Sequence, residues 1–271
     1  MAQKIIGRKQ EIKELLDLYK ENKPVFAVIY GRRRVGKTFL VRELFQDKMS
    51  FYHTGLSPYE LSGQKIMEQQ LTSFYSSLVR YGSKGKKVPS SWLEAFDALI
   101  NLLEEQDADK RQVIFIDELP WMDTPRSGFV SAFEHFCNDW CTARSHVKLI
   151  VCGSATSWIC DEMLENKGGL YDRVTTSIYV RPFTLRECEA FFKDEGFHLD
   201  KYDIVQAYMT FGGIPYYLSQ FQEETEHEKD DKMDCTARCN ADAVCSIYRL
   251  RQGCRHKDER RPKRLCRAAR L

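Results

Sequence analysis

VFAVIYGRRRVGKTFLVREL, residues 25–44, decides the fold. Its first six residues are a continuous apolar run, the pattern of a strand buried on both faces of a parallel sheet. Gly31-Arg32-Arg33-Arg34-Val35-Gly36-Lys37-Thr38 then satisfies GxxxxGK[ST] in full. Backbone N–H groups surround a phosphate only where the chain curls tightly, which is why glycine stands at 31 and 36. A helix opening near Lys37 adds the partial positive charge of its N-terminus. In such a loop Lys37 reaches the β- and γ-phosphates and the Thr38 hydroxyl holds Mg²⁺. Phe39, Leu40 and Leu44 are expected to point inward from that helix. The motif follows a buried-type strand and precedes a helix, the context that separates a phosphate loop from a chance Gly/Lys turn.

Working outward, VIFI (113–116) is a second buried-type run, and it ends in Asp117-Glu118. A carboxylate at a strand end beside a phosphate loop binds Mg²⁺, the role expected of Asp117. The next carboxylate points elsewhere and suits orienting or deprotonating a water, the role expected of Glu118. A third run, KLIVCGS (148–154), ends in Ser154. Ser154 is read either as a sensor of the γ-phosphate or attacking water, or as a cap for a helix over 156–164.

Helical periodicity covers 8–20, 60–80, 91–103 and 127–141, with Ser91/Glu94 and Thr184/Glu187 as caps. A short strand is expected near 178–181, and further helices near 201–210 and 215–224. Strands alternating with helices of this length predict an α/β fold, a parallel sheet flanked by helices with its ligand-binding residues at the strand C-termini.

Arg32, Arg33 and Arg34 belong to the phosphate loop. Their side chains read as a solvated charge run, with contact to phosphate or an acidic surface as the alternative. Arg173 precedes the last strand and is a candidate cation for a transferring phosphoryl group, in cis or from a neighbouring subunit; an ion pair with Asp172 is the competing reading.

Apolar residues make up 43% of the 271, enough for a sizeable core, and no run approaches a bilayer span. No secretory leader or membrane attachment is expected, and a cytoplasmic location is. Five of the ten cysteines lie between Cys235 and Leu271, where eleven Lys/Arg face three Asp/Glu and leave a charge of +8. The other five sit in apolar surroundings and read as reduced, buried thiols.

The order IIGRKQEIKEL (5–15), YGRRRVGKT (30–38), FIDELPWM (115–122), CGSATSW (152–158), LYDRVTTSIYVRPF (170–183), GGIPYYL (212–218) resembles AAA+-type, STAND-related ATPases of the archaeal-type ATPase-domain family. The resemblance covers about residues 4–222. It implies an AAA+-like P-loop domain over 1–182 and a helical lid over 183–226. It also implies that Gly7 and Arg8 lie near the adenine, that Gly213 and Pro215 belong to the lid against the base, and that Arg173 matches the family's post-sensor arginine. The family usually carries Gly where this chain has Asp172.

Residues 227–271 depart from the family and read as a disordered or out-of-frame basic tail, ahead of a nucleic-acid-binding arm; the cysteine spacing does not suit a zinc module. The function expected is Mg²⁺-dependent ATP hydrolysis coupled to a conformational switch. A slow ATP/ADP-binding switch and a DNA-associated protein regulated by ATP are the alternatives. Partners follow from these readings: ATP and ADP, a second copy or another protein, and, on the last, nucleic acid.

Overall fold

The computed structural model describes residues 4–57, 66–106, 110–165, 169–170 and 173–220. Asp172, the lid residues beyond 220 and the tail therefore lie outside the described residues. Among the described residues, five parallel strands form one sheet: β1 (Val25–Tyr30), β2 (Met49–Thr54), β3 (Gln112–Asp117), β4 (Val147–Gly153) and β5 (Thr176–Tyr179), in the order β2-β3-β4-β1-β5. Because β4 lies between β1 and β3, the ends of three strands converge on one stretch of the sheet edge.

The three apolar runs are the three central strands, and alternation within each feeds two cores. Phe26, Val28, Ile114, Ile116, Leu149 and Val151 face one layer; Val25, Ala27, Ile29, Val113, Phe115, Ile150 and Cys152 face the other. The first layer is covered by α3 (Ile66–Arg80), α4 (Trp92–Glu104) and α5 (Phe129–His135), through a tilted and edge-on cluster of Phe74, Trp92, Phe96 and Phe129. The second is covered by α1 (Lys9–Lys20) and α2 (Lys37–Phe45), which bury Leu15, Leu40, Val41 and Phe45. A third, smaller core (Phe183, Cys188, Phe192, Ile204, Leu218) belongs to α7 (Leu185–Asp194), α8 (Lys201–Phe211) and α9 (Pro215–Leu218).

Local chemistry sets the boundaries. Ser91 accepts from the Glu94 amide at 3.2 Å, while the Glu94 carboxylate reaches back to the Ser90 amide rather than that of Ser91. Thr184 and Glu187 close a reciprocal capping box on α7. Two expectations are corrected. The helix expected over 127–141 is α-helical only to His135 and continues as a π-helix over Phe136–Cys141. Phe39 does not point into the core; it is 36% exposed on the outer face of α2. β2, MSFYHT, carries no continuous apolar run because an edge strand buries alternate side chains here, Phe51 and His53.

Candidate functional site

The phosphate loop is shaped by backbone that only certain residues adopt. Gly31 has φ 142°, and a Cβ there would lie 2.4 Å from the carbonyl oxygen of Val180. Gly36 has φ 91° and stands at the N-cap of α2 without a side-chain acceptor. The first-turn amides of α2 thus keep their outward aim. Lys37 is buried, and its Nζ donates to the carbonyls of Gly31 at 2.9 Å and Arg32 at 3.0 Å. The loop folds around its own lysine.

Asp117 ends β3 and is 3% exposed. Its Oδ2 accepts from the Thr38 hydroxyl at 2.8 Å, and its Oδ1 from the Glu118 amide at 3.0 Å. A buried carboxylate paired with a hydroxyl is a set of hard oxygen donors, the chemistry that suits Mg²⁺. The Cys152 thiol lies against Asp117 from the neighbouring strand. Burial first, then the negative charge of Asp117, pushes that thiol well above its ordinary pKa, so it stays protonated.

Glu118 takes a left-handed conformation, φ 48°, and turns the chain at the strand end so that the two adjacent carboxylates diverge. Gly55 packs against this corner, where a Cβ would lie 2.8 Å from the Glu118 carbonyl. Glu118 Oε2 accepts from both the amide (3.1 Å) and the hydroxyl (2.9 Å) of Ser154. Ser154 does not cap a helix: α6 (Thr156–Ile159) begins after Ala155 with no side-chain cap.

A cleft of about 440 Å³ opens over the loop. Arg8, Arg34, Val35, Gly36, Lys37, Thr38, Phe39, Glu118 and Pro215 line it. Asp117 and Ser154 stand immediately behind Thr38 and Glu118. Gly7 is not on the lining. Its φ of 66° lets the chain pass so close to Glu187 that a Cβ would sit 2.2 Å from that carboxylate. The following Arg8 is buried, donates to the Val35 carbonyl at 3.0 Å, pairs with Glu11 at 3.5 Å and lies over the Phe183 ring. Burial lowers the Arg8 pKa, partly offset by Glu11 and Glu187. Burial pushes the Glu187 carboxyl up, but the amides of Thr184 and Arg8 outweigh it and hold its pKa low.

The arginine run is exposed yet partnered. Arg33 Nε lies 3.3 Å from Ser154 Oγ, and its guanidinium is over Trp121. Arg34 donates to the Tyr217 hydroxyl at 3.0 Å and lies over Tyr216 and Tyr217. For these two the reading as a merely solvated run gives way. Arg32 contributes its carbonyl to Lys37.

Arg173 is not brought to the cleft. Thr175 donates its amide to the Phe26 carbonyl, at the start of β1, whereas the phosphate loop follows the end of β1. At about 3.3 Å per residue, the five residues from Phe26 to Gly31 put the level of Arg173 roughly 16 Å or more from the loop. The apolar cleft wall of Ile5, Ile6, Phe183, Phe191 and Tyr216 was not anticipated as a site. Four of those residues stand within the segments 5–15, 170–183 and 212–218, but nothing in their spacing distinguishes a cleft wall from a core.

The fold and loop define a P-loop ATPase-type nucleotide domain. The chain belongs to the family described as an ATPase domain predominantly from Archaea, whose model matches residues 5–221. An uncharacterised protein of Methanocaldococcus jannaschii, MJECL04, is 27% identical over 215 residues, 79% of this chain and 43% of that protein. This chain thus spans less than half of that relative's length. An uncharacterised ATP-binding protein of the same organism, MJ0423, is 42% identical over 43 residues, 16% of this chain and 73% of that protein. Among solved structures, the Walker-type ATPase of Pyrococcus abyssi superposes with a TM-score of 0.59 at 20% identity, covering 92% of this chain and 73% of that one. A STAND protein of Pyrococcus horikoshii with a tetratricopeptide-repeat sensor superposes at 0.50 and 16% identity, covering 91% of this chain and 32% of that one. These structural likenesses establish the fold; the family establishes ATP binding and ATPase character at its own level. Among the described residues, no helix is long and apolar enough to cross a membrane.

Proposed function

We propose that this domain hydrolyses ATP to ADP and phosphate in a Mg²⁺-dependent step and transmits the change to the helices of the lid. One observation carries the reading: Thr38 and Asp117, seventy-nine positions apart, meet at 2.8 Å beside the lysine of the loop, with Glu118 on the next residue facing the cleft. The triphosphate would lie along the amides of the loop and the N-terminus of α2, with Lys37 leaving the Gly31 and Arg32 carbonyls for phosphate oxygens. Thr38 and Asp117 would hold the ion. When bound, Mg²⁺ neutralises charge on the β- and γ-phosphate oxygens.

Glu118 would orient a water toward the γ-phosphorus and accept its proton as the new P–O bond forms and the bond to the ADP oxygen breaks. The adenine would enter the apolar side of the cleft, between Arg8, Phe183 and Pro215 of the lid. The location in the cytoplasm and assembly with a second copy or a protein partner belong to the same reading.

A slowly turning switch is favoured by a different observation. Glu118 Oε2 is already engaged twice by Ser154, so the carboxylate must exchange partners before it reaches water. Phosphate release under steady state, with wild type and Glu118→Gln, tests both. The hydrolytic reading expects unchanged Mg·ATP affinity and a turnover at least about a hundredfold lower in the variant. Equal turnover in the two proteins rules out Glu118 as the base.

A further inference from the structure

Arg33 and Arg34 point in different directions, and the backbone explains why. Arg34 is in the left-handed region at φ 69°, so the chain reverses between it and its predecessor. Arg34 is thrown toward the lid, onto Tyr216 and Tyr217. Arg33 is thrown the other way, toward the strand ends. There it is moored twice: its Nε donates to Ser154 Oγ at 3.3 Å, and its guanidinium lies 5.2 Å from the centre of the Trp121 ring.

Both moorings are hydrogen-bonded to the candidate base. Trp121 sits in the short turn that follows Glu118 and donates its amide to the Glu118 carbonyl. Ser154 donates its hydroxyl to the Glu118 carboxylate. The Arg33 guanidinium therefore stands one hydroxyl away from the carboxylate that faces the transferring group.

We propose that Arg33 is this enzyme's own cation for the transferring phosphoryl group, supplied in cis from the phosphate loop. The inference rests on the hydrolytic reading of the site. A γ-phosphate on this loop must sit between Lys37, which closes one side, and Glu118, which closes the other. Arg33 issues from the loop on the Glu118 side, and its terminal nitrogens are free of the single contact made by Nε. A guanidinium presents several N–H donors in a rigid fork, so it can keep one bond to Ser154 and direct others at equatorial phosphoryl oxygens. Charge on those oxygens is spread in the transition state, and a cation placed there before reaction lowers the barrier. Trp121 fixes the plane of the guanidinium and limits the freedom lost when phosphate arrives. Arg173 cannot take this part for its own loop, since it lies at the opposite end of the strands.

The test compares wild type, Arg33→Ala, Arg33→Lys and Arg173→Ala in three measurements: Mg·ADP affinity, affinity for Mg·ADP with aluminium fluoride, and turnover across a hundredfold range of protein concentration. The proposal expects Arg33→Ala to bind Mg·ADP within about threefold of wild type. The same variant should lose at least about a hundredfold in turnover and in binding of the aluminium fluoride complex, while Arg33→Lys recovers part of each. Free guanidinium at millimolar concentration should partly restore turnover to Arg33→Ala and leave wild type unchanged, a result no structural role produces. Wild-type turnover per molecule should be independent of protein concentration, and Arg173→Ala should retain it.

Arg33→Ala with wild-type turnover overturns the proposal while leaving ATP hydrolysis intact. Turnover that rises with protein concentration and vanishes in Arg173→Ala also overturns it, in favour of a cation from a neighbouring copy. Wild type that binds Mg·ATP without turning it over removes the hydrolytic reading itself, whatever the variants do.

Discussion

Ser154 gives both its amide and its hydroxyl to one oxygen of Glu118, at 3.1 and 2.9 Å, across the gap between the ends of β4 and β3. The amide is fixed by the strand end, but the hydroxyl rotates about a single bond. The contact therefore has a permanent half and a removable half. Hydrogen bonds to a charged carboxylate contribute about 1.5–3 kcal/mol each, so the removable half is enough to bias where Glu118 points.

Ser154→Ala deletes that half while keeping the backbone donor. Mg·ATP affinity should change less than twofold, since Ser154 does not line the cleft. Turnover should change by roughly ten- to a hundred-and-fiftyfold, the rate equivalent of the lost contact. Downward change marks Ser154 as holding Glu118 in its working position; upward change marks it as a brake. Steady-state phosphate release distinguishes the two, and an unchanged rate would show that the hydroxyl has no part in the step.

Gly213 fastens the small helical unit of α7, α8 and α9 to the chain that follows β5. Phe183 donates its amide to the Gly213 carbonyl at 2.7 Å. Gly213 has φ 67°, and a Cβ there would lie 2.2 Å from the Phe183 carbonyl oxygen. Gly213→Ala must therefore pay for both a left-handed alanine and a backbone clash, at least about 2 kcal/mol together. The expected result is faster proteolysis and hydrogen exchange over 200–220 at temperatures where β1, β3 and β4 remain protected. Unaltered exchange in α8 and α9 would contradict this account of how the lid is docked.

His53 makes the fold sensitive to acid. Burial, then the charge of Arg80, pushes its pKa down from 6.5 to about 3. Its Nδ1 shares a hydrogen bond with Ser77 Oγ at 2.9 Å, and its ring packs edge-on against Phe74. The unfolded chain binds a proton at His53 below pH 6.5 and the folded one does not until about pH 3. This group's contribution is thus complete above 6.5 and is lost as pH falls toward 3. Between pH 6.5 and 4.5 the loss amounts to about 2–3 kcal/mol. Urea midpoints of wild type should fall more steeply over that range than those of His53→Gln. Parallel curves would mean that His53 titrates normally in the folded state.

Much of the fold was readable because burial on two faces leaves no room for polar residues. β1, β3 and β4 are central, and each contains an unbroken apolar run, at 25–30, 113–116 and 149–152. β2 is an edge strand in which Ser50, His53 and Thr54 interrupt the apolar pattern, and its sequence reads as readily as a loop. The strand order was not readable, since nothing in a strand's composition states its neighbours. In the site, the loop glycines, Lys37 and Thr38 were readable because the backbone chemistry of a phosphate loop constrains their spacing, and Asp117 and Glu118 because they end a buried apolar run. The partners of Arg33 and Arg34 were not. Trp121, Ser154, Tyr216 and Tyr217 lie 88 to 183 positions away, and only the folded sheet brings them together.

On the reading proposed above, residues 31–38 grip a nucleotide phosphate chain with main-chain amides and one lysine. Isothermal titration of the full chain with Mg·ATP and with Mg·ADP measures this directly. One site per chain is expected for each nucleotide, with an affinity at least about tenfold weaker in Lys37→Ala. Absence of heat with both nucleotides in a folded wild-type protein, or equal affinity in Lys37→Ala, would contradict it.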